Sequence, residues 1–246
     1  MKMHSNNHTA HMISVDEALE KILGYVHVLD LEERPIVEAL GQVLAENITS
    51  NFDIPPLDNS AMDGFAVQFR SIQSASPEQP RVLQVVGEVA AGQLPQHEVL
   101  PGTAVRIMTG APVPAGAETV VPFEDTDEVE RKAQGLSLSQ IAIRQMLPIG
   151  DNIRLAGEDI AKGQVILKRG TTLRPAEIGV LASLGYSRIK VIRRPIVSIL
   201  ATGDELLEPG ESLQPGKIYD SNSSSVAASV LRYGSIPNVL GVAADN

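Results

Sequence analysis

Apolar residues recur at helical spacing near the start of the chain. Ser14 and Glu17 have the spacing of a capping box, which marks the first turn of a helix. The helix predicted behind this cap carries one apolar face, made of Val15, Ala18, Leu19, Ile22 and Leu23. A second short helix is predicted after Pro35, with these side chains facing inward: Ile36, Ala39, Leu40 and Leu44.

Between residues 51 and 144 the pattern changes to short apolar runs separated by Gly and Pro, which is typical of strands joined by turns. Four runs are predicted as strands: Val82–Val86, Ala104–Met108, Thr119–Val121 and Leu138–Ile143. The polar stretches 71–80 and 124–135 are predicted as loops, the second as a charged loop or hairpin tip. The sequence therefore predicts a β-rich unit inserted between helical segments.

Strand and helix patterns alternate in the last third of the chain. A helix is predicted from Pro175 to Gly185, because proline suits a first turn and glycine suits the residue after the last turn. Strands at 188–192 and 196–201, a helix from 221 to Gly234, and a strand at 236–242 follow. The run 196–201 is apolar throughout, as expected of a strand buried on both faces. This order predicts the start of a doubly wound α/β domain.

Together these patterns predict a multidomain α+β protein. A disordered tail is predicted at 1–12, which contains His4, His8 and His11. It is followed by a discontinuous helical linker domain at 13–50 and 145–190, a β-rich insertion at 51–144 and an incomplete α/β domain at 191–246. Two parallel strands and one helix do not bury both faces of a sheet. We therefore expect either a fragment of a longer protein or completion by a partner, and favour the fragment.

Composition narrows the functional classes. Hydrophobic residues make up 43% of the 246 residues, and no apolar run approaches the roughly 20 residues of a membrane helix, so no membrane partner is expected. The lack of cysteine excludes disulfides and thiolate chemistry, and the cytoplasm is the expected compartment. A formal net charge of −10 and an aromatic content of 3% argue against nucleic-acid binding.

Charge is distributed unevenly along the chain. Residues 144–194 contain ten Lys or Arg and four acidic residues, a net +6 within a chain of −10. Such a basic segment could attract an anionic small molecule. Surface charges that face many directions would explain the same composition.

The most informative polar run of the chain is Asp58–Gly64. It follows Pro55 and Pro56, which favour extended backbone and cannot lie inside a helix. The run displays two carboxylates, an amide and a hydroxyl on a loop, and such oxygen ligands suit a hard cation or a polar substrate. An ordinary capped turn would use the same residue types.

A second polar cluster, Thr202–Glu205, follows the apolar strand at 196–201, and ligands of open α/β sheets bind beyond such carboxyl ends. Gly203 permits close approach of a ligand to the backbone. A Mg²⁺ ion held by Asp204 and Glu205 would let these carboxylates face a phosphate, although Asp204 could instead cap a turn. The helix start at Asp220–Ser223 offers N–H groups and a dipole that favour an anion, and its residues equally fit an N-cap.

Five motifs, taken in order, resemble the molybdopterin molybdenumtransferase family, which includes MoeA and the gephyrin E domain. They are Asp58–Ala66, Arg106–Gly110, Gly157–Ile160, Ala201–Leu206 and Ile218–Asn222, and the resemblance runs from about Val15 to the last residue. It implies Mg²⁺-dependent insertion of molybdate into adenylylated molybdopterin with release of AMP. It also implies a homodimer that assembles its cleft from both protomers, and a molybdopterin adenylyltransferase as pathway partner.

The resemblance carries roles onto individual residues. The implied catalytic residues are Asp58, Thr109, Asp159, Glu205 and Asp245, and the implied metal ligands are Asp204 and Glu205. The implied substrate-binding residues are Asn59, Ser60, Asp63, Thr202, Gly203, Asp220, Ser221, Asn222 and Ser223. Three departures from the family pattern are Ala244-Asp245-Asn246 in place of Arg-Asp-Asp, Phe65 in place of Tyr, and Arg174, a poor N-cap, in place of Thr.

Two other classes fit parts of the sequence. A catalytically inactive fragment, or a scaffold or interaction module of the same fold, would lack turnover; for this chain alone we expect weak substrate binding and turnover that is absent or very low. A different pterin- or nucleotide-binding enzyme would share only the α/β part. Asp58–Ala66 and Arg106–Gly110 lie outside that part and argue against it.

Overall fold

The computed structural model describes residues 13–245, so the tail predicted for residues 1–12, with its three histidines, lies outside the described residues. The α-helices are α1 (Val15–Leu23), α2 (Phe69–Ile72), α3 (Glu128–Ala133), α4 (Pro175–Ser183) and α5 (Ser221–Arg232). A 3₁₀ turn spans Phe123–Asp125. None of the helices in residues 13–245 is long and apolar enough to span a bilayer.

The helices alternate with short strands, so the fold is mixed α/β. The strands are β1 (Leu31–Pro35), β2 (Val43–Leu44), β3 (Ile48–Thr49), β4 (Asn59–Ser60), β5 (Gly64–Val67), β6 (Arg81–Val89), β7 (Thr103–Ile107), β8 (Thr119–Pro122), β9 (Gln140–Ile143), β10 (Ile153–Arg154), β11 (Val165–Leu167), β12 (Arg188–Ile192), β13 (Ile196–Thr202), β14 (Leu206–Leu207), β15 (Ile218–Tyr219) and β16 (Ile236–Ala243).

The chain divides into two compact units, one formed by residues 49–166 and the other by the segments before and after it. We call them the β unit and the outer unit. The boundaries fall within β3 and β11, which pair with each other. The β unit begins near residue 51, the predicted start of the β-rich insertion, and continues past residue 144, its predicted end. The finer four-part division of the chain stays a prediction.

A five-stranded sheet in the order β8-β5-β7-β6-β9 forms the centre of the β unit. All four residues of β5 are buried, with Phe65 and Val67 in one hydrophobic cluster and Ala66 in another. Glycine is required at position 64 for steric reasons, because a Cβ there would lie 2.0 Å from the carbonyl oxygen of Val121 in β8. The four strands predicted here are confirmed as β6, β7, β8 and β9, and β6 is longer than predicted.

The prediction of a loop at 124–135 is wrong, because this segment contains the helix α3. Its fold depends on charged contacts rather than on an apolar face. Asp127 accepts hydrogen bonds from the Ala142 N–H at 2.8 Å and from the Arg131 guanidinium at 2.6 Å. Glu128 is only 1% exposed, whereas Val129 is 57% exposed. Hydrophobic periodicity therefore gave no sign of this helix.

An antiparallel sheet in the order β1-β12-β2 forms part of the outer unit. The helix predicted after Pro35 is wrong, because residues 36–41 form turns instead. Gly41 takes a positive φ of +81° and its N–H donates to Leu173 O at 2.8 Å, and Leu44 then pairs with Val191 as a strand. Leu44 is buried as predicted, but Leu40 is 46% exposed.

Strands β13 and β16 pair in parallel and α5 packs against both, which confirms the predicted strand–helix–strand order. The predicted burial of 196–201 on both faces is wrong, because Ile196 is 61% and Leu200 55% exposed. Ile199 is the buried residue of β13. Helix α5 covers one face of the two-stranded sheet. The other face, which carries Ile196 and Leu200, is exposed within residues 13–245. The complete doubly wound arrangement stays a prediction.

Capping side chains define the helix ends. The Ser14 hydroxyl accepts the Glu17 N–H at 3.1 Å, which confirms the predicted start of α1, although α1 buries none of its residues. The Arg174 side chain makes no cap hydrogen bond, as predicted for a poor N-cap, and Glu177 stabilises the start of α4 instead. The Glu177 carboxylate accepts the Arg174 N–H at 2.9 Å and its guanidinium at 2.6 Å, and this guanidinium lowers the pKa of Glu177 to about 2.

Candidate functional site

Hydrogen bonds link three of the five sequence motifs within the β unit, two of them directly and the third through residues that flank the motifs. The Ser60 N–H donates to Ala111 O at 3.0 Å, and Ser60 O accepts the Gly110 N–H at 2.8 Å. Strand β4 pairs with β10, and the Asp159 N–H donates to Ile54 O at 3.0 Å. The loops carrying Asp58, Asp63, Thr109 and Asp159 are therefore tied together, and we call these four residues the β-unit site.

Asp63 and Thr109 form the tightest contact of the β-unit site. Asp63 Oδ1 accepts both the Thr109 N–H and the Thr109 hydroxyl, each at 2.7 Å. These two donors, with a smaller contribution from the Arg106 charge, hold the pKa of Asp63 below its ordinary value. An ionised carboxylate thus orients the Thr109 hydroxyl, whose lone pairs face away from its donated proton.

Asp58 lies at the edge of an open groove. Its Oδ1 accepts the Ala156 N–H at 2.7 Å, and its carbonyl oxygen accepts the Val113 N–H at 2.9 Å. The groove has a volume of about 490 Å³ and is lined by Leu57, Asp58, Pro95, Pro112, Val113, Ala115 and Ala156. The exposed Asp58 carboxylate is therefore held by the backbone beside a space that can admit a small molecule.

The other predicted residues of this loop cluster differ in exposure. Asp159 is exposed and forms an ion pair with Arg154 at 2.6 Å. Asn59 is half-buried and pairs with Arg154 between β4 and β10. Ser60 is 1% exposed and its hydroxyl donates to Met62 O at 2.5 Å, so this hydroxyl holds the loop. The burial of Ser60 does not favour its predicted substrate contact.

Sequence reasoning missed a buried ion pair beside the β-unit site. The Arg106 Nε lies 3.0 Å from Glu128 Oε2, and the guanidinium carbon lies 5.3 Å from the centroid of the Phe65 ring. The Lys132 ammonium lies 2.6 Å from Glu128 Oε1. The spacing of Glu128 and Lys132, four residues apart, was the signal that could have indicated a helix here.

The two remaining motifs meet in the outer unit. Strand β14 pairs in parallel with β15, and the Lys217 ammonium donates to the carbonyl oxygen of Asp204. Asp204 Oδ1 accepts the Asp245 N–H at 3.2 Å, and the Gly203 N–H donates to Ala243 O at 3.2 Å. The loop after β13 and the end of β16 are thus adjacent. We call Thr202–Glu205 with Asp245 the outer-unit site. Lys217 was missed by sequence reasoning because no periodic pattern marks it.

Gly203 is a position where glycine is required. It is buried with a φ of +144°, which lies in the region that side chains rarely adopt. A Cβ here would lie 2.7 Å from a carboxylate oxygen of Glu205. The sharp turn thus brings the Glu205 carboxylate against the backbone, while Thr202, Asp204 and Glu205 are exposed.

Asp220 and Ser223 serve as the N-cap of α5. Asp220 Oδ1 accepts the Ser223 N–H at 3.0 Å, and both residues are buried. The hydroxyl and N–H of Ser223 lower the pKa of Asp220. Ser221 and Asn222 are exposed. The capping alternative therefore accounts for Asp220 and Ser223, and substrate binding by the four residues Asp220–Ser223 stays a prediction.

The described chain offers limited support for a metal. Within residues 13–245, no group of three or more His, Asp or Glu side chains could hold an ion by itself. Asp204 and Glu205 are adjacent exposed carboxylates. Mg²⁺ is commonly held by one or two carboxylates together with substrate phosphates. The donor set therefore fits a Mg²⁺ ion that a phosphate completes, and the ion stays a prediction.

Most of the basic segment 144–194 is neutralised locally, which does not favour its interpretation as an anion attractor. Six of its ten cations lie within 4 Å of a carboxylate oxygen. These ion pairs are Arg144–Glu130, Arg154–Asp159, Arg174–Glu177, Arg188–Glu33, Lys190–Glu46 and Arg193–Asp30. Arg194 donates to Leu40 O at 2.7 Å.

The predicted site residues therefore form two groups. Asp58, Asp63, Thr109 and Asp159 belong to the β unit, whereas Thr202–Glu205 and Asp245 belong to the outer unit. The structure brings residues together within each group. A single pocket shared by Asp58, Asp159 and Glu205 stays a prediction.

The fold and these two sites define a class of mixed α/β protein that gathers distant acidic loops on each unit. A family model described as "MoeA N-terminal region (domain I and II)" matches residues 13–185. The chain belongs to this family.

Individual relatives agree with the family match. The molybdopterin molybdenumtransferase of Bacillus subtilis strain 168 is 39% identical over 233 residues, covering 95% of this chain and 53% of that protein. Molybdopterin molybdenumtransferase 2 of Mycobacterium tuberculosis H37Rv is 40% identical over 212 residues, covering 86% and 50% respectively. The chain thus spans about half the length of these curated relatives.

A solved structure shows the same fold. The molybdopterin biosynthesis MoeA protein of Pyrococcus horikoshii OT3 superposes with a TM-score of 0.82 at 35% sequence identity. The similarity covers 94% of this chain and 60% of that one. The mixed α/β architecture is therefore that of MoeA structures.

Proposed function

We propose that this chain acts in molybdenum cofactor biosynthesis as a molybdopterin molybdenumtransferase. The observation that carries the proposal is the grouping of the five motifs into two polar sites, three motifs in the β unit and two in the outer unit. Binding and catalytic residues lie disproportionately on loops that a rigid scaffold positions. The names of the relatives supply the chemistry that fits these loops.

The reaction we propose is the insertion of molybdate into adenylylated molybdopterin, with water cleaving the phosphoanhydride and AMP leaving. Asp58, fixed by the Ala156 N–H beside the groove, orients a ligand or water. Thr109, held by ionised Asp63, contributes a hydroxyl contact. Asp159 supplies a further exposed carboxylate.

In the outer unit, we assign Glu205 and Asp245 to contacts with the substrate, and Asp204 and Glu205 would hold a Mg²⁺ ion. When bound, this ion neutralises charge on the phosphoanhydride. The Lys217 ammonium on the Asp204 carbonyl oxygen adds a positive charge beside these carboxylates. Homodimer formation, pathway partnership with a molybdopterin adenylyltransferase, and a cytoplasmic location belong to the same proposal.

The test combines binding and turnover. The chain is mixed with adenylylated molybdopterin, molybdate and Mg²⁺, and binding, AMP release and molybdenum incorporation are measured. We expect Mg²⁺-dependent binding that Asp58→Asn and Thr109→Val weaken and that Glu130→Gln, a change at a surface ion pair, leaves intact. The proposal fails if the parent chain shows neither Mg²⁺-dependent binding nor AMP release.

A second candidate is a catalytically inactive module of the same fold, which is favoured by the use of Asp220 and Ser223, two implied substrate-binding residues, as a helix cap. This candidate predicts that turnover is absent or very low. Binding without AMP release would support the inactive module, whereas robust turnover would support the enzyme. A different pterin- or nucleotide-binding enzyme is disfavoured because the family match covers residues 13–185, all of which precede β13.

A further inference from the structure

A buried carboxylate lies next to the β-unit site without belonging to any of the five motifs. Glu128, the first residue of α3, is 1% exposed. Burial of a carboxylate is unfavourable unless cations or donors accompany it. The cations that face Glu128 are Arg106, whose side chain is 12% exposed, and Lys132, whose side chain is 60% exposed. Arg106 is thus the partner that shares its buried environment.

Arg106 connects Glu128 to two neighbouring backbone segments. Its Nη1 donates to Gly64 O at 3.1 Å and to Ile107 O at 2.8 Å, while its Nε donates to Glu128 Oε1 at 3.2 Å. Gly64 and Ile107 are paired residues at the end of the β5–β7 ladder. Beyond this pair the two segments separate, one continuing to Asp63 and the other to Thr109.

Other contacts restrict how Arg106 can move. The guanidinium stacks on the Phe65 ring at 5.3 Å, a cation–π arrangement. The segment before α3 is itself attached to the site, because the Phe123 N–H donates to Asp63 O at 3.1 Å. The chain from Phe123 to Glu128 therefore contacts the Asp63 loop through Phe123 at one end and Arg106 through Glu128 at the other.

We propose that Glu128 is a positioning residue for the Asp63–Thr109 pair. By holding Arg106 on the carbonyl oxygens of Gly64 and Ile107, it fixes the separation at which both Thr109 donors reach Asp63 Oδ1. Glu128 touches neither residue of the pair. Its consequence for catalysis rests on the proposed function, but its effect on the pair does not.

Positioning and simple electrostatics predict opposite outcomes when the Glu128 charge is removed. Loss of a nearby negative charge would, by itself, favour ionised Asp63 and lower its pKa further. Loss of positioning would weaken the hydrogen bonds from Thr109 that stabilise the carboxylate, and the pKa of Asp63 would rise. The sign of the change therefore identifies the mechanism.

The experiment compares Glu128→Gln with Glu130→Gln in the full chain. Glu130 is a matched control because it lies in the same helix and forms a 2.6 Å ion pair with Arg144 at the surface. The Asp63 carboxyl carbon is titrated by NMR, and the Thr109 amide proton is followed as a marker of its hydrogen bond. For Glu128→Gln we expect the pKa of Asp63 to rise by roughly one unit, with an upfield shift of the Thr109 amide proton. Glu130→Gln should change neither.

A folded Glu128→Gln variant in which the pKa of Asp63 falls or stays constant would overturn the proposal. If that variant does not fold, Arg106→Lys decides. Lysine keeps the charge but lacks the planar fork that engages Glu128 and both carbonyl oxygens together. The pKa of Asp63 should rise here as well, and a folded Arg106→Lys variant without that rise would refute the positioning role.

Kinetics give an independent measurement where turnover is detected. We expect Glu128→Gln to lower kcat about 10- to 100-fold with KM little changed, as displacement of a catalytic group does, and Glu128→Asp, which retains the charge, to recover part of the loss. Failure of the parent chain both to bind the substrate and to turn it over would count against the proposed function alone. The Asp63 titration requires no substrate and would still test the role of Glu128.

Discussion

Strand β5 of the β unit and strand β13 of the outer unit show how differently two apolar runs can be used. All four residues of β5 are buried, because β7 and β8 flank it and hydrophobic clusters lie on both faces. In β13, Ile199 is buried while Ile196 and Leu200 are more than half exposed. An apolar run thus predicts a strand, whereas its burial depends on which other elements cover it.

The two sites differ in the same way. In the β unit, Asp58 and Asp63 each accept a backbone N–H, and an ion pair braces the adjoining strands. In the outer unit, Asp204 also accepts a backbone N–H, from Asp245, but no comparable ion pair lies beside it within residues 13–245. Glu205 lies on an exposed turn that depends on Gly203. The Asp63–Thr109 pair is therefore attached to a braced sheet, whereas the outer-unit carboxylates depend on a single turn.

The largest expected effect tests the difference in burial directly. Ile141, which is fully buried in β9, and Leu200, which is 55% exposed, are aliphatic side chains of the same size. Ile141→Ala should lower the free energy of unfolding by about 2–5 kcal/mol, and Leu200→Ala by about 0.5 kcal/mol or less. Urea unfolding measures both, and equal losses would contradict the comparison.

A smaller effect with opposite signs is expected at two glycines. Gly64→Ala places a methyl 2.0 Å from Val121 O and should destabilise the β unit by about 1–3 kcal/mol. Gly179→Ala in α4 meets no atom within 4 Å and should stabilise the chain by about 0.5–1 kcal/mol. Thermal unfolding of the two variants decides; a stabilising Gly64→Ala would show that β5 and β8 can separate freely.

Acid should affect the outer unit through Glu177. Its pKa is about 2 in the folded chain, below the ordinary value of 4.5, because it accepts the Arg174 guanidinium. Its contribution to stability is therefore complete above about pH 4.5 and is lost as the pH falls toward 2. Glu177→Gln should reduce the change of the melting temperature with pH between these two values, while Glu78→Gln, at an exposed position, should leave it unchanged. An unchanged slope in Glu177→Gln would disprove this linkage.

The smallest effect is expected at α1. Ser14→Ala removes the hydroxyl that accepts the Glu17 N–H and should cost about 1 kcal/mol of local helix stability. Because α1 buries no residue, we expect faster amide exchange in α1 with an unchanged global unfolding midpoint. Ser14→Asn, which keeps an N-cap acceptor, should restore protection. A global loss with Ser14→Ala would indicate that α1 is coupled to the rest of the outer unit.

Local signals in the sequence predicted part of the fold well. Ser14, Pro175 and Gly185 marked helix ends because capping and left-handed glycines act within a few residues. The prediction of a helix after Pro35 was wrong because Leu44 pairs as a strand with Val191, far along the chain, and this pairing overrides the local helical spacing. Helix α3 was missed because its stabilising contacts are ionic.

The candidate site was predictable as a set of motifs but not as a geometry. The motifs named Asp63 and Thr109, yet nothing in their spacing showed that residues 46 positions apart share two hydrogen bonds. Glu128 carried no motif, and its link to Arg106 exists only through folding. For Asp220 and Ser223 the sequence left binding and capping open, and the structure shows the cap.

The local pairing of the basic residues has a consequence for how ligands arrive. Six of the ten cations in 144–194 have a carboxylate within 4 Å, so little field extends from this segment into solution. Because the chain as a whole carries a formal net charge of −10, encounter with an anionic small molecule should instead become faster as the ionic strength rises. Recognition would take place at short range, after diffusion has delivered the molecule.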